Sequence, residues 1–318
     1  MQLDEFIIKN TPAGFTVHRN EPMSEHTTFK TGGFADIYIQ TGEAETLAAI
    51  APLTRYAHEN NIPVQIIGGG ANVVVADSGI RGITINTMTP VARQKVRRRE
   101  AANDFIAPAG VASDTVAEIA AENSLSGLEF LAGLPGTIGG AVRMNARCWG
   151  KSISDVLIGV ETMNIVNGDV IFEPFKAEEW AYKQSPYQKG NKLIIAAHFC
   201  LEPEKRGTIL KRMAEYRIER EKKGHFRSPS AGSVFKNNPA FGSSTGKIIE
   251  ELGLLGARIG GAQVSTWHGN FIVNTGGARS SDIRTLTEKI QAEARKRLGI
   301  ELECEILFIG DWGDREKH

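Results

Sequence analysis

The stretch Gly133-Leu-Pro-Gly-Thr-Ile-Gly-Gly-Ala141 decides how the rest of the chain is interpreted. Its four glycines are too closely spaced for a helix interior, where each glycine costs about 1 kcal/mol relative to alanine. The residues between the glycines are too apolar for a flexible linker. We therefore expect a non-helical segment that lets a ligand approach the backbone closely.

A second glycine-rich run, Ile67-Gly-Gly-Gly-Ala-Asn72, follows a compact strand predicted at Val64–Ile67. Successive backbone N–H groups without side chains are how proteins cradle a pyrophosphate, although a tight turn is the alternative for this triplet alone. The run is not a GxGxxG fingerprint and lacks the P-loop lysine, which disfavours nucleotide hydrolysis. Together, the two runs indicate one extended, flat, phosphate-bearing ligand.

A third segment, Ser230-Ala-Gly-Ser-Val-Phe-Lys-Asn237, combines small residues with polar side chains. It is interpreted together with Gly260-Gly-Ala-Gln-Val-Ser265 and His268-Gly-Asn-Phe271. We expect Ser233 to direct its hydroxyl at a ligand, whereas a purely structural loop is the alternative.

Composition limits the classes of function. The 318 residues suggest two or three domains, and 37 basic residues balance 37 acidic ones, which argues against a general nucleic-acid binder. The basic run Arg93–Arg99 is interpreted as a solvated strand edge. Three cysteines without CxxC spacing indicate reduced thiols, and no apolar run has membrane-spanning or signal-peptide length. We expect a cytoplasmic protein without metal ligands.

Periodicity predicts alternating strands and helices. The predicted strands are Ala35–Gln40, Val64–Ile67, Asn72–Ala76, Ile83–Asn86, Val156–Ile165, Leu193–Leu201, Phe271–Asn274 and Glu301–Ile309. Ser113 is predicted to cap a helix through Asn123, and a charged helix from Pro203 to Lys223 is the predicted domain boundary. Asp282 is predicted to cap a helix whose apolar stripe runs from Ile283 to Leu298.

The chain contains four motifs in this order: Thr28-Phe-Lys-Thr-Gly-Gly33, Gly68-Gly-Gly-Ala-Asn72, Gly133–Ala141 with Met144-Asn145, and Ser230–Asn237. Together they resemble the UDP-N-acetylenolpyruvylglucosamine reductase family, and the resemblance continues through Leu302–Ile306. It covers nearly the whole chain and is closest to the shorter subclass. It implies an α/β (α+β) fold with a two-lobed FAD-binding domain of the vanillyl-alcohol-oxidase (PCMH) type. A smaller C-terminal α/β substrate domain follows, with expected bounds of 1–203 (lobes about 1–86 and 87–203) and 204–318.

The resemblance also implies an activity: NADPH-dependent, FAD-mediated reduction of UDP-N-acetylglucosamine enolpyruvate to UDP-N-acetylmuramate, a peptidoglycan precursor. Hydride addition to the methylene carbon leaves negative charge on the neighbouring carbon. A positioned acid must protonate that carbon, and cations or donors must stabilise the enolate. The expected partners are this substrate and NADPH, with no nucleic acid and no membrane insertion, and the chain is expected to be a monomer.

The resemblance assigns Ser233 as the proton donor and Glu305 as the glutamate that polarises or orients the intermediate. In an alternating strand Glu303 shares the face of Glu305, so Glu303 is the competing candidate. Lys183 stands in Tyr182-Lys-Gln-Ser185, where the family has Tyr-Arg-x-Ser. It keeps the positive charge but loses the bidentate fork of arginine.

The remaining predicted site residues form two sets. The residues implied to bind the cofactor are Thr31, Gly32, Gly68, Gly69, Gly70, Ala71, Asn72, Gly133, Pro135, Gly136, Thr137, Gly139, Gly140, Ala141 and Asn145. Those expected near the substrate are Tyr182, Lys236, Asn237, Gln263, Ser265 and His268.

Three departures from the family pattern keep other functions open. Besides Lys183, Ala71 stands where serine is common, and Arg147 stands where glycine follows Asn-Ala in many relatives. The alternatives are another FAD oxidoreductase of the same fold and a catalytically altered relative that binds FAD or a UDP-sugar.

Overall fold

The computed structural model describes residues 3–42, 44–89, 96–98 and 104–313. Its α-helices are α1 (Leu3–Asn10), α2 (Ala51–Glu59), α3 (Ser113–Glu122), α4 (Ile138–Arg143), α5 (Arg206–Lys222), α6 (Thr245–Glu251) and α7 (Ser280–Leu298). The strands in the first half are β1 (Phe15–Pro22), β2 (Phe34–Thr41), β3 (Val64–Ile67), β4 (Val73–Val75), β5 (Ile80–Asn86), β6 (Arg97–Arg98), β7 (Asp104–Pro108), β8 (Leu125–Ser126), β9 (Arg147–Cys148) and β10 (Lys151–Ser152). The later strands are β11 (Leu157–Asn164), β12 (Val170–Pro174), β13 (Lys192–Cys200), β14 (Glu202–Pro203), β15 (Arg258–Ile259), β16 (Ala262–Val264), β17 (Ile272–Asn274) and β18 (Leu307–Ile309).

The chain forms two compact units that do not follow a single cut in the sequence. Unit 1 comprises Met1–Arg19, Ile37–Gly69 and Gly82–Ile218, whereas unit 2 comprises Asn20–Asp36, Gly70–Arg81 and Glu219–His318. The division in the second half falls within α5. The domain bounds 1–203 and 204–318 concern the division of function and stay a prediction.

Unit 1 contains two hydrophobic cores. One lies among α1, α2 and a sheet in the order β1-β2-β5-β3, in which β3 runs parallel to β5. The other lies between α3, α4 and an antiparallel sheet in the order β12-β11-β13-β7-β6. Arg97 and Arg98 form the edge strand β6, so the edge interpretation is confirmed there, while the rest of the basic run lies outside the described residues.

The glycine-rich stretch that ends at Ala141 is partly helical, so the expected non-helical segment was wrong for Gly139 and Gly140. Thr137 caps α4 by accepting a hydrogen bond from Gly140 N at 3.4 Å. A Cβ atom on Gly139 would lie 3.0 Å from Ala109 Cβ, so this turn of helix packs closely against the end of β7. Close packing offsets the low helix propensity of glycine here.

Unit 2 is built around α6, α7 and two small sheets. β15, β16 and β17 are antiparallel neighbours, and β18 runs parallel to β4 with Leu307 opposite Val73. One apolar core joins these elements and includes Phe29 and Val74 from the N-terminal half of the chain. The sequence did not predict that segments so distant along the chain share this core.

The predicted strand Glu301–Ile309 was mostly wrong, because regular pairing with β4 begins only at Leu307. Before that point Cys304 forms an isolated bridge with Phe235, and the chain then bends. A long alternating strand is therefore absent from this described segment. The inference that Glu303 and Glu305 share a strand face loses its basis.

Several helix boundaries also differ from prediction. Ser113 lies inside α3 and Ala112 takes the N-cap position, while the charged helix α5 begins at Arg206 because Glu202 and Pro203 pair with β8. In α7, Asp282 lies in the first turn, where its carboxylate accepts a hydrogen bond from Arg279 N at 3.0 Å. Leu298 is 51% exposed and does not belong to the buried stripe. Gly299 ends α7 in the left-handed conformation, as predicted.

Candidate active site

The two glycine-rich segments of unit 1 contact each other directly. A Cβ atom on Gly69 would lie 2.7 Å from Gly136 Cα, and a Cβ atom on Gly68 would lie 2.4 Å from Thr137 Oγ1. Both distances are far inside van der Waals contact, so only glycine fits at positions 68 and 69 without movement. The structure thus brings together two segments that were predicted from sequence to bind one ligand.

The surface formed by these segments offers donors to a ligand. The backbone N–H groups of the half-buried Gly69 and Gly136 donate to no acceptor within the described residues. Gly140 is exposed, and a Cβ atom there would meet only Thr137 Oγ1, at 3.7 Å. Free N–H groups on a surface without side chains are suited to a pyrophosphate. These residues therefore fit the FAD implied by the resemblance.

Other predicted cofactor residues of unit 1 hold the segment in shape. Gly133 N donates to Asp114 Oδ1 at 2.8 Å, and Gly139 N donates to Ala109 O at 2.8 Å. Ala141 is buried. Their backbone positions fix the path of the chain, and direct contact with a cofactor stays a prediction for each.

Tyr182 and Lys183 are the central residues of a tight turn. Ala181 N donates to Gln184 O at 3.3 Å, and Gln184 N donates to Ala181 O at 3.0 Å. Lys183 has a φ of 58°, in the left-handed region, and Tyr182 is 40% exposed. Asn145 holds this turn through Nδ2, which donates to Ala181 O at 2.9 Å.

Asn145 is 3% exposed, and both its side-chain nitrogen and its side-chain oxygen form hydrogen bonds. Its Oδ1 accepts a hydrogen bond from Ser154 N at 3.1 Å, in addition to the bond that its amide donates to the turn. Asn145 therefore positions backbone in this structure, and its predicted contact with the cofactor stays a prediction.

In unit 2, Ser233 lies on a segment that is fixed on one side by Asn270. Asn270 Oδ1 accepts from Phe235 N at 2.9 Å, and Asn270 Nδ2 donates to Phe235 O at 2.8 Å. Ser233 itself forms an antiparallel bridge with Phe271. Its half-buried side chain makes no hydrogen bond to any residue that the structure describes. The backbone is held firmly, while the hydroxyl is available to a ligand.

Glu305 lies on the neighbouring segment. Glu305 N donates to Val234 O at 2.7 Å, which places the backbone of Glu305 beside the residue that follows Ser233. Asn72 Nδ2 donates to Glu305 O at 2.9 Å, and Leu307 N donates to Asn72 O at 3.0 Å. The structure therefore brings two predicted catalytic residues and one predicted cofactor residue together within unit 2.

Glu303 differs from Glu305 in exposure. Its side chain is 69% exposed and forms an ion pair with Lys236 Nζ at 2.5 Å, whereas Glu305 is half-buried. The exposed carboxylate of Glu303 already has a cationic partner. The difference in exposure favours Glu305 over its competitor, and the predicted contact of Lys236 with substrate stays a prediction.

Two predicted substrate residues support local backbone. Asn237 Oδ1 accepts from Thr245 N at 2.9 Å, at the start of α6. Gln263 Nε2 donates to Gly256 O at 3.1 Å. Each amide has a further hydrogen-bonding atom that these bonds leave unused.

Ser265 and His268 form a closed turn. Ser265 Oγ donates to His268 O at 2.7 Å and accepts from His268 N at 2.9 Å, and Ser265 is fully buried. His268 Nδ1 accepts from Asn270 N at 3.2 Å, and its ring stacks on Phe271 at 4.1 Å between centroids. Burial lowers the pKa of His268. The turn is thus built around a neutral imidazole.

A second histidine packs against the same phenyl ring. The rings of His225 and Phe271 meet edge to face at 4.7 Å between centroids. Burial, followed by the positive charge of Arg220, lowers the pKa of His225 to about 4. Phe271, which bridges to Ser233, is therefore flanked by two imidazoles that are neutral near pH 7.

Two predicted cofactor positions near the N-terminus are deeply packed. Thr31 is 3% exposed, and its Oγ1 lies 3.0 Å from Ser280 Oγ. Gly70 has a φ of 60°, and a Cβ atom there would lie 1.9 Å from His26 O. Gly70 is therefore required by the close approach of backbone as much as by any ligand.

Two positioning residues were not predicted from sequence. Asn270 orders the Ser233 segment, and Arg143 donates to the carbonyl oxygens of Tyr187 and Gln188, beyond the Lys183 turn. Arg143 is the lone charged residue between Gly133 and Asn145. A single charge in an apolar, glycine-rich run is a signal that could have identified it.

The described residues contain neither a metal-binding cluster nor a membrane-spanning helix. Within them, no group of three or more His, Cys, Asp or Glu side chains is arranged to hold a metal ion. None of the helices described above is both long and apolar enough to cross a lipid bilayer.

Comparison with known proteins identifies both parts of the chain. Residues 39–172 match the model of an FAD binding domain, and residues 224–309 match that of the UDP-N-acetylenolpyruvoylglucosamine reductase C-terminal domain. The predicted α/β fold class, an FAD-binding domain followed by a smaller C-terminal domain, is confirmed.

Individual relatives agree with the two models. UDP-N-acetylenolpyruvoylglucosamine reductase of Treponema denticola is 40% identical over 96% of this chain and 98% of its own length. The enzyme of Borreliella burgdorferi is 38% identical over 91% and 93%. The crystal structure of the reductase from Thermus caldophilus superimposes with a TM-score of 0.74, at 30% identity, over 93% of this chain and all of that chain. The chain therefore belongs to the UDP-N-acetylenolpyruvoylglucosamine reductase family.

Proposed function

We propose that this chain is an FAD-dependent reductase that converts UDP-N-acetylenolpyruvoylglucosamine to UDP-N-acetylmuramate for peptidoglycan synthesis, with NADPH as the reductant. Family membership supports the reaction. The observation that carries the mechanism is the half-buried Ser233 hydroxyl, which bonds to no described residue and lies on the segment adjacent to Glu305.

The cofactor would be held by the glycine cradle of unit 1. Gly68, Gly69 and Gly136 offer a surface without side chains, and the N–H groups of Gly69 and Gly136 donate to no described residue. Bound FAD would supply the hydride, with NADPH as the source. The residues of this chain must then protonate the substrate and stabilise negative charge on it.

Ser233 Oγ is assigned to deliver the proton to the carbon next to the substrate carboxylate. A serine hydroxyl is a weak acid, so a neighbouring cation or proton relay must assist it. Glu305, whose backbone is bonded to that of the same segment, is assigned to orient or polarise the intermediate. Glu303 is the weaker candidate because its side chain is 69% exposed, whereas Glu305 is half-buried.

Lys183 is assigned to bind the substrate carboxylate and stabilise the developing enolate. A lysine supplies the charge without the bidentate geometry of arginine. The tight turn at Tyr182 and Lys183 supports this role, because it fixes the backbone from which the flexible side chain extends.

The substrate nucleotide is assigned to unit 2. Lys236, Asn237, Gln263, Ser265 and His268 are proposed to line or support its binding region. Tyr182 of unit 1 is also proposed as a substrate contact. We further propose that the chain acts in the cytoplasm as a monomer and binds no nucleic acid, consistent with balanced charge and three cysteines without disulfides.

Anaerobic stopped-flow spectroscopy tests the proposal. The purified protein should be yellow, NADPH should bleach it, and UDP-N-acetylglucosamine enolpyruvate should restore the colour with formation of UDP-N-acetylmuramate. Bleaching by NADPH without recolouring would indicate a catalytically altered relative. The lysine at position 183 is the observation that favours this alternative function. Bleaching by substrate alone would indicate an oxidase, and a protein unable to take up FAD would refute the proposal.

A further inference from the structure

Arg143 makes an unusual set of contacts at the end of α4. Its side chain is half-buried, Nη1 donates to Tyr187 O, and Nη2 donates to Gln188 O at 3.0 Å. One guanidinium thus joins two consecutive carbonyl groups. That geometry uses the planar fork of arginine, which lysine lacks.

The same loop is fixed to α4 at other points. Ser185 Oγ donates to Arg143 O at 2.7 Å, and Gln188 Nε2 donates to Lys183 O at 2.9 Å. Arg143 therefore contacts the loop with both its side chain and its carbonyl group. Since Gln188 is bonded to both Arg143 and Lys183, a direct chain of hydrogen bonds joins the guanidinium to the turn.

The charge of Arg143 has no carboxylate partner among the described residues. Arg212 and Arg217, elsewhere in unit 1, each pair with two carboxylates. Burial lowers the pKa of Arg143. A partly desolvated cation without a counter-ion is energetically costly. The hydrogen bonds to the two carbonyl groups, rather than an ion pair, must therefore offset this cost.

The turn that Arg143 supports is itself strained. Lys183 has a φ of 58°, a conformation that costs a residue with a side chain about 1 kcal/mol or more. Such a conformation persists when the surrounding structure enforces it. The bonds from Asn145, Arg143 and Gln188 supply that enforcement.

We propose that Arg143 is a positioning residue for the proton-transfer half of the reaction. Its guanidinium fixes loop 181–188, so that the ammonium group of Lys183 meets the substrate carboxylate. A single ammonium on a flexible stem depends on a fixed backbone more than a guanidinium fork does. This inference rests on the role of Lys183 in the proposed function.

The test compares Arg143→Met with wild-type protein, because methionine has a similar length and no hydrogen-bond donor. Recolouring of the NADPH-reduced flavin by substrate should slow about 10- to 100-fold and no more than Lys183→Ala slows it, since misplacement of a reacting group by about 1 Å costs up to about 100-fold. Reduction by NADPH, FAD content and thermal midpoint should stay near wild type. Arg55→Met, on the exposed face of α2, is the matched control and should change neither half-reaction.

A double-mutant cycle with Lys183→Ala separates positioning from a general structural effect. In the Lys183→Ala background, Arg143→Met should cause little further slowing. Fully additive effects would show that Arg143 does not act through Lys183 and would overturn the inference. If Lys183→Ala alone recolours as fast as wild type, the assigned role of Lys183 fails first.

Arg143→Lys keeps the test decisive if Arg143→Met does not retain FAD. Lysine preserves the charge but can hold the two carbonyl groups only loosely, so recolouring should be intermediate. Recolouring of Arg143→Lys at the wild-type rate would show that charge alone suffices and would contradict the proposed role of the two-carbonyl contact.

Discussion

Ser233 and Ser265 flank the same residue, yet their hydroxyl groups are used in opposite ways. Ser233 bridges to Phe271, and Ser265 N donates to Phe271 O at 2.8 Å. The Ser265 hydroxyl is buried and both donates and accepts within its turn, whereas the Ser233 hydroxyl bonds to no described residue. A hydroxyl left available on a fixed backbone is suited to chemistry, and one that is fully bonded stabilises structure.

The largest expected effect separates these two serines. Ser233→Ala should slow recolouring of the reduced flavin by substrate about 10²- to 10⁴-fold, the usual contribution of a general acid, and leave reduction by NADPH unchanged. Ser265→Ala should instead lower the free energy of unfolding by about 1 to 3 kcal/mol, because it leaves backbone groups of His268 unpaired. Stopped-flow and urea denaturation of both variants measure this contrast. Survival of both half-reactions in Ser233→Ala would refute its assignment.

The next contrast is between two glutamates. Glu305→Gln should slow recolouring about 10²- to 10³-fold, because it removes the charge assigned to polarise the intermediate. Glu303→Gln should have a much smaller effect, since its exposed ion pair with Lys236 is worth about 1 kcal/mol or less. Single-turnover absorbance traces at the flavin band give both rates. The reverse order would move the role to Glu303.

Lys183 offers a smaller and more graded contrast. Lys183→Ala should slow recolouring about 10- to 100-fold and weaken substrate binding, because both involve the carboxylate. Lys183→Arg should stay within about tenfold of wild type, since it keeps the charge and restores the fork. Titration of the oxidised protein with substrate, followed by flavin absorbance, separates binding from rate. Equal behaviour of all three proteins would exclude a role in either step.

The smallest expected effect concerns pH and the imidazoles around Phe271. The pKa of His225 is about 4 in the folded protein, against 6.5 in the unfolded chain. The folded state therefore binds fewer protons between these values. The contribution of neutral His225 is present above pH 6.5 and is lost as pH falls from 6.5 to 4. Because the ring is partly solvated, the loss should be about 1 to 2 kcal/mol.

Urea unfolding of His225→Gln at pH 7 and pH 4.5 checks this contribution. The variant should lose less stability than wild type between the two pH values, because glutamine does not titrate. If wild type and variant lose the same free energy of unfolding between pH 7 and pH 4.5, His225 is not the group responsible for the pH dependence.

Local signals in the sequence were sufficient to predict several secondary-structure elements. The strand Val64–Ile67 was predicted to the residue, and Gly299 ends α7 as its position indicated. Such features depend on neighbouring residues along the chain. The segment before Leu307 was mispredicted because its backbone bonds to Val234 and Asn72, which are distant in sequence. Alternation of residue types cannot report those partners.

The candidate site shows the same limit. Motif resemblance identified Ser233, Glu305 and the two glycine segments, and the structure brings the members of each unit together. The motif resemblance gave no indication that Asn145 and Asn270 hold backbone, nor that Arg143 supports the Lys183 loop. A side chain that acts through a hydrogen bond to a remote carbonyl leaves no periodic pattern in the sequence, because its partner can be any residue.

The bond between the Asn72 side chain and the carbonyl of Glu305 has a consequence for how mutants are sorted. If a substitution at Asn72 impairs growth, its place in a glycine-rich loop suggests a defect in FAD binding. The same substitution also displaces the Glu305 backbone, because it removes the amide that donates to the Glu305 carbonyl, while the bond from Leu307 N to the Asn72 carbonyl stays. Because the acceptor is a backbone carbonyl, a substitution at position 72 should displace residue 305 whatever its side chain, whereas a substitution at position 305 leaves this bond in place.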